Sequence, residues 1–159
     1  MKIRIIAVGK IKDKYLELGI SDYIKKISRF ADVEIIEVKD QPIYNEKSNE
    51  EIETAKKKEG EAILKYLKES DYLINLDLNK KEMKSEEFAE FLSAKSQYSG
   101  SYISFAIGGS YGLSYVVKKR ANDSISLSKM TFLHGMTRLI ILEQIYRAYK
   151  ILNNEVYHK

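Results

Sequence analysis

Apolar and polar residues alternate from Lys2 to Gly9 in a stretch rich in Ile and Val, and this period of two predicts a first β-strand. From Asp13 to about Phe30 the period changes. Leu16, Ile20, Tyr23, Ile24 and Ile27 recur at helical spacing and predict an amphipathic helix. Val33–Val38 reads as a second strand. The loop that opens at Asp40-Gln41-Pro42 holds the single proline of the chain. Ser48-Asn49-Glu50-Glu51 has capping-box spacing and predicts a charged helix to about Glu69. Asp71–Leu78 is a strongly apolar third strand, and Asn79–Lys81 reads as a turn. Ser85 is placed to cap a helix running to about Gln97, with Phe88, Phe91 and Leu92 on its apolar face. Tyr102–Ile107 reads as strand 4 and Ser124–Leu127 as a short strand 5. Strands alternating with helices predict an α/β fold, a mainly parallel sheet flanked by helices.

The last helix, Gly135–Asn153, departs from simple amphipathicity. Glu143, Arg147, Lys150 and Asn154 share one narrow sector of the wheel. Leu139, Leu142, Ile145, Tyr146, Tyr149 and Leu152 take the opposite side, and Ile140, Ile141 and Ile151 fill much of the rest. Such a helix needs cover on several sides. The cover is either its own monomer or a second subunit.

The 159 residues suit one domain, residues 1–159, with a sizeable core. No repeat, low-complexity tract or linker interrupts them. No apolar run approaches the length of a membrane span, and the N-terminal strand is too short for a signal segment, so a cytoplasmic protein with no membrane partner is expected. The absence of cysteine excludes disulfides, thiol nucleophiles and thiolate zinc sites, and two histidines make no His-rich metal site, so no metal is expected. Charge is unevenly spread. Residues 1–99 hold 19 Lys+Arg against 20 Asp+Glu, while residues 100–159 hold 8 against 3, so the net +4 arises wholly in the C-terminal part. A polyanion would be drawn there, although a solvated basic surface gives the same balance.

Three groups of residues can carry chemistry. Ile107-Gly108-Gly109-Ser110-Tyr111-Gly112 follows strand 4 at the edge where open α/β sheets bind ligands. Its glycines let backbone approach a ligand, or merely turn the chain. The spacing is not the dinucleotide fingerprint. Leu127-Ser128-Lys129-Met130-Thr131-Phe132, followed by His134 and Arg138, offers hydroxyl and backbone groups beside apolar faces. Ser128 and Thr131 also suit an ordinary turn, and a lone His134 a structural hydrogen bond. The tail Tyr157-His158-Lys159 combines a ring, an imidazole and a cation, which suit a stacked base beside phosphates. A disordered terminus is the alternative.

As an ordered set, Ala7-Val8-Gly9-Lys10, the Gly108-Gly109-x-x-Gly112 loop, Ser126-x-Ser128-x-Met130-Thr131-Phe132-x-His134, Glu143-Gln144-x-Tyr146-Arg147-Ala148 and the final Tyr157-His158-Lys159 resemble the ribosomal RNA large subunit methyltransferase H family of the SPOUT superfamily. The resemblance spans the whole chain. It implies a C-terminal trefoil knot, an exception to the rule against knotted chains. It implies transfer of methyl from S-adenosyl-L-methionine to N3 of a pseudouridine in the helix 69 loop of 23S rRNA, by a homodimer acting on assembled ribosomes. Carried across, the cofactor pocket falls on Leu76, Gly108, Leu127, Ser128, Lys129, Met130, Thr131 and Phe132. Leu133 departs from the family, which usually has proline between Phe and His.

Displacement at a sulfonium needs alignment of donor carbon and acceptor nitrogen, and removal of the N3 proton. Arg138, His134 and His158 are the catalytic candidates, and Tyr157, His158 and Lys159 the candidates for substrate binding. A tRNA methyltransferase of the same superfamily, a ribosome-binding factor without catalysis and a flavodoxin-like nucleotide domain are the competing readings.

Overall fold

The computed structural model describes residues 1–98 and 100–159. Its strands are β1 (Lys2–Val8), β2 (Asp32–Val38), β3 (Tyr72–Glu82), β4 (Tyr102–Ile107) and β5 (Asp123–Ser126). They form one sheet in the order β2-β1-β4-β3-β5, and all four pairings are parallel. The helices are α1 (Lys14–Ile27), α2 (Asn49–Leu64), α3 (Ser85–Ala94), a 3₁₀ turn at Lys95–Tyr98, α4 (Tyr115–Arg120) and α5 (His134–Leu152). Both faces of the sheet are covered, as a parallel sheet requires. One face carries α1, α3 and α5 over Ile3, Ile5, Ile74, Phe105 and Ile125. The other carries α2 and α4 over Ile6, Val8, Leu73 and Ala106.

Element boundaries differ from expectation where a polar side chain intervenes. Helix α2 starts as its spacing predicts, with Ser48 Oγ accepting from the Glu51 N–H at 3.2 Å. The Glu51 carboxylate, however, holds the Tyr44 and Asn45 N–H groups of the preceding loop. The helix stops at Leu64, short of Glu69, because Asp71 Oδ2 accepts from the Lys68 N–H at 2.9 Å and forms a separate turn. Ser85 is the first helical residue of α3 and not its cap; its hydroxyl donates to Gln144 Oε1 at 2.8 Å. The turn expected at Asn79–Lys81 is an irregularity inside one long β3. Asn79 takes φ 58°, and the pairing with β5 shifts between Leu76 and Lys81. Ser126 Oγ pins it, accepting from Lys80 N–H at 2.7 Å and donating to Asp77 O at 2.6 Å.

Helix α5 packs against α1 and α3 as well as the sheet, so most of its apolar circumference is buried within the chain. Its polar stripe is covered by the C-terminus, which folds back. Tyr157 stands edge-on to Tyr146 at 4.9 Å, beneath the Arg147 guanidinium at 4.7 Å.

Candidate functional site

Strands β4 and β5 end at one edge of the sheet and leave it in loops, and at the same edge β3 breaks its regular pairing with β5 after Leu76. Between these loops lies a cavity of about 450 Å³, a size that suits a small-molecule ligand. Leu76 closes one side from β3. Gly108, Gly109 and Gly112 supply backbone after β4. Leu127, Ser128, Met130, Thr131 and Phe132 supply the wall after β5. Thus seven of the eight residues expected to hold a cofactor stand around one space. Lys129 is the exception; it is exposed and outside the lining. The cation on this wall is Lys118 of α4, whose Nζ lies 3.3 Å from Asp77 Oδ2. Lys118, Asp77 and Thr137 belong to none of the three residue groups that the sequence singles out, whereas Ser110 and Tyr111 come with the glycine loop. Asp77, expected inside the third strand, sits within the β3 irregularity.

The glycine loop is tight for reasons internal to it. A Cβ on Gly108 would stand 2.5 Å from the Gly112 carbonyl carbon and 2.9 Å from Leu113 N. The absent side chain therefore makes room for the loop's own closure, not for a ligand. Gly112 has φ +84°, a conformation that favours glycine.

His134, the first residue of α5, lies at the rim of the cavity. Its Nδ1 is buried with no hydrogen-bond partner among the described residues. Burial, reinforced by the Arg138 guanidinium, holds the imidazole below its ordinary pKa, so the neutral form prevails at pH 7. Arg138, one turn on, is fully buried. It donates to Glu37 Oε2 at 2.6 Å and to Gly9 O at 2.8 Å, stapling α5 to the ends of β1 and β2. A buried guanidinium is tolerated only when paired in this way.

The tail is ordered but sits elsewhere in the chain. Tyr157 donates to Glu143 Oε1 at 3.0 Å, and the His158 ring nitrogens lie 3.3 Å from Arg147 and 2.9 Å from Glu86. None of Tyr157, His158 and Lys159 lines the cavity of its own chain.

Comparison with known proteins bears directly on this edge. The family described as "Predicted SPOUT methyltransferase" matches residues 1–158. The chain belongs to the SPOUT methyltransferase family. Relatives named ribosomal RNA large subunit methyltransferase H are 49% identical in Carboxydothermus hydrogenoformans and 48% in Alkaliphilus oremlandii, each over 100% of both chains. Among solved structures, a probable methylase family protein from Haemophilus influenzae covers 99% of this chain and 70% of its own, with TM-score 0.53 at 14% identity. That likeness concerns the fold alone. The cavity presents hydroxyl groups, loop backbone and Leu and Phe walls.

Proposed function

We propose that this chain methylates N3 of a pseudouridine in the helix 69 loop of 23S rRNA, using S-adenosyl-L-methionine, on assembled ribosomes in the cytoplasm. The observation that carries the reading is the cavity between the β3 irregularity and the loops after β4 and β5, with a neutral His134 at its rim. The full-length similarity to ribosomal RNA large subunit methyltransferase H proteins supports the choice of substrate. On this reading residues 1–159 act as one domain, and the loops around the cavity are those of a trefoil knot.

The donor supplies an electrophilic methyl group on a sulfonium. Leu76, Leu127 and Phe132 would hold its adenine, and Ser128, Thr131 and the glycine-loop backbone would meet its polar groups. The acceptor nitrogen must lose a proton. His134 is the residue of this chain that takes it, through Nε2, since its imidazole is neutral and Nδ1 is buried away from the cavity. Arg138 serves as a positioning residue, because its side chain is fully buried and its terminal nitrogens are held by Glu37 and Gly9. Tyr157, His158 and Lys159 bind the RNA.

The tail lies away from its own cavity, so it serves the cavity of a second subunit in a homodimer. Apolar side chains exposed on α1 and just before α5 support that contact: Tyr15 at 61%, Leu18 at 59% and Leu133 at 58%. Their burial would stabilise a dimer by roughly 25 cal/mol per Å² of apolar surface removed from water. Transfer of labelled methyl to ribosomes, to separated subunits and to free rRNA tests the reading. Labelling of ribosomes at one nucleotide is the expected result, and labelling of none of the three would overturn it.

A further inference from the structure

Behind the glycine loop stands a carboxyl group with no part in the chemistry above. Glu59 of α2 is 7% exposed, although α2 is otherwise strongly charged and solvated. Its Oε2 accepts from the Gln41 N–H at 3.0 Å. A Cβ on Gly109 would lie 3.5 Å from Glu59 Oε1 and 3.6 Å from Oε2. Gly109 thus turns its empty side towards Glu59, while its backbone lines the cavity. Only one glycine's backbone separates the buried carboxyl from the ligand space.

The next residue of α2 is fitted just as closely. A Cβ on Gly60 would stand 2.1 Å from the Oγ of Ser114, which closes the same loop. Successive residues of one helix therefore support the loop at both ends.

The charged group facing Glu59 is Asp40, from the loop after β2. The other elements against it bring Val8 and Gly109, which carry no charge. Asp40 also acts electrostatically on His134, across the end of β1. Burial, with the neighbouring Asp40, pushes the Glu59 carboxyl up to about 7, so it changes charge near neutrality.

We propose that Glu59 is a specificity-determining residue of the donor pocket: its carboxylate, held behind Gly109, favours the cationic methyl donor over the uncharged product. The inference rests on S-adenosyl-L-methionine being the donor. Methyl transfer turns its sulfonium into the neutral thioether of S-adenosylhomocysteine and changes little else. A negative charge behind a one-residue wall attracts the first and is indifferent to the second. Ionised Glu59 thus holds the donor and lets the spent product go.

Calorimetric titration of the full chain with both compounds, from pH 6 to pH 8, tests this. The preference for S-adenosyl-L-methionine over S-adenosylhomocysteine should rise roughly three- to tenfold with pH in the native protein. It should be flat in Glu59→Gln and should still rise in His134→Gln. A flat preference in the native protein, or an equal rise in Glu59→Gln, overturns the inference. If neither compound binds the native protein, the donor assignment falls and this inference with it. Should Glu59→Gln fail to fold, Asp40→Asn decides. Removing the neighbouring charge must move the rise to lower pH, and an unmoved rise counts against Glu59.

Discussion

The imidazole of His134 rests on the backbone of Gly9, where a Cβ on residue 9 would stand 3.3 Å from His134 Cε1. Gly9 also has φ +92°, so two requirements meet at one glycine. Gly9→Ala should cost about 1–3 kcal/mol through backbone strain and should push His134 off the cavity rim. Urea unfolding measures the first effect and methyl transfer the second. A variant with native stability and native activity would show that the ring is not held by this contact.

His134 itself allows a cleaner test. Replacing it by Gln should leave donor affinity within about threefold and lower the methylation rate about 10²–10⁴-fold, the usual worth of a general base. Its pKa is lowered, so the neutral imidazole needed to accept a proton is present at pH 7 and disappears on acidification below the ordinary histidine value. The native pH–rate profile should therefore have an acid limb below pH 6.5, and the Gln variant should lose that limb. An acid limb that survives the substitution assigns the proton elsewhere.

The Arg138–Glu37 pair predicts a stability effect. Arg138→Ala removes a fully buried side chain and the staple from α5 to β1 and β2. Breaking a buried pair costs about 3–5 kcal/mol; Glu37 is exposed enough here to be rehydrated, so about 3 kcal/mol is expected. Arg138→Met should recover part of this by refilling the space. Equal destabilisation in both variants, measured by denaturant midpoint, would show that packing is not the issue.

Much of this edge was legible in the residue pattern. An alternating run marked β1, a strongly apolar run marked β3, the remaining three strands were placed as well, and the glycine loop and Leu127–Phe132 stood out by composition. The roles of Arg138 and Asp77 did not. An arginine on a helix reads as solvent-facing until its partner is known, and Glu37 lies 101 residues away. Asn79 has the same turn chemistry in a hairpin as in a bulged strand, and only pairing with β5 tells them apart. The tail read as an RNA-binding or disordered terminus, because the sequence shows no partner for the polar stripe of α5. That partner is the tail itself, with Tyr157 on Glu143 and His158 between Arg147 and Glu86.

Glu59 has a consequence for stability that is independent of any ligand. Its folded-state pKa is raised from 4.5 to about 7. Below pH 4.5 the carboxyl is protonated in both states and its contribution is fully present. Between pH 4.5 and about 7 the unfolded chain is ionised while the folded one resists, and that contribution is lost by the time pH has risen through about 7. Glu59→Gln cannot ionise. Its stability relative to the native chain should therefore improve from pH 5 to about pH 7 and level off above it. A constant difference between the two proteins over that range would show that Glu59 titrates normally.

Deleting Tyr157-His158-Lys159 tests the shared site. The deletion uncovers the polar stripe of α5 and removes the Tyr157–Tyr146 and Arg147–Tyr157 contacts. A modest loss of stability, about 1–2 kcal/mol, is expected from aromatic and cation–π contacts of this kind. Donor affinity should change little, because none of the three residues lines the cavity. Methylation of ribosomes should fall far more than stability, because base stacking and phosphate contact are lost together. The dimer gives the sharper result. A deletion subunit keeps its cavity, and a Phe132→Asp subunit keeps its tail. Mixed subunits would form one complete site from the cavity of the first and the tail of the second. Activity should therefore return on mixing two inactive proteins, to at most about half of native per heterodimer. If subunits exchange, as followed by differently tagged chains, and activity does not return, then each tail serves its own chain. If the deletion alone remains fully active, the tail does not bind the RNA at all.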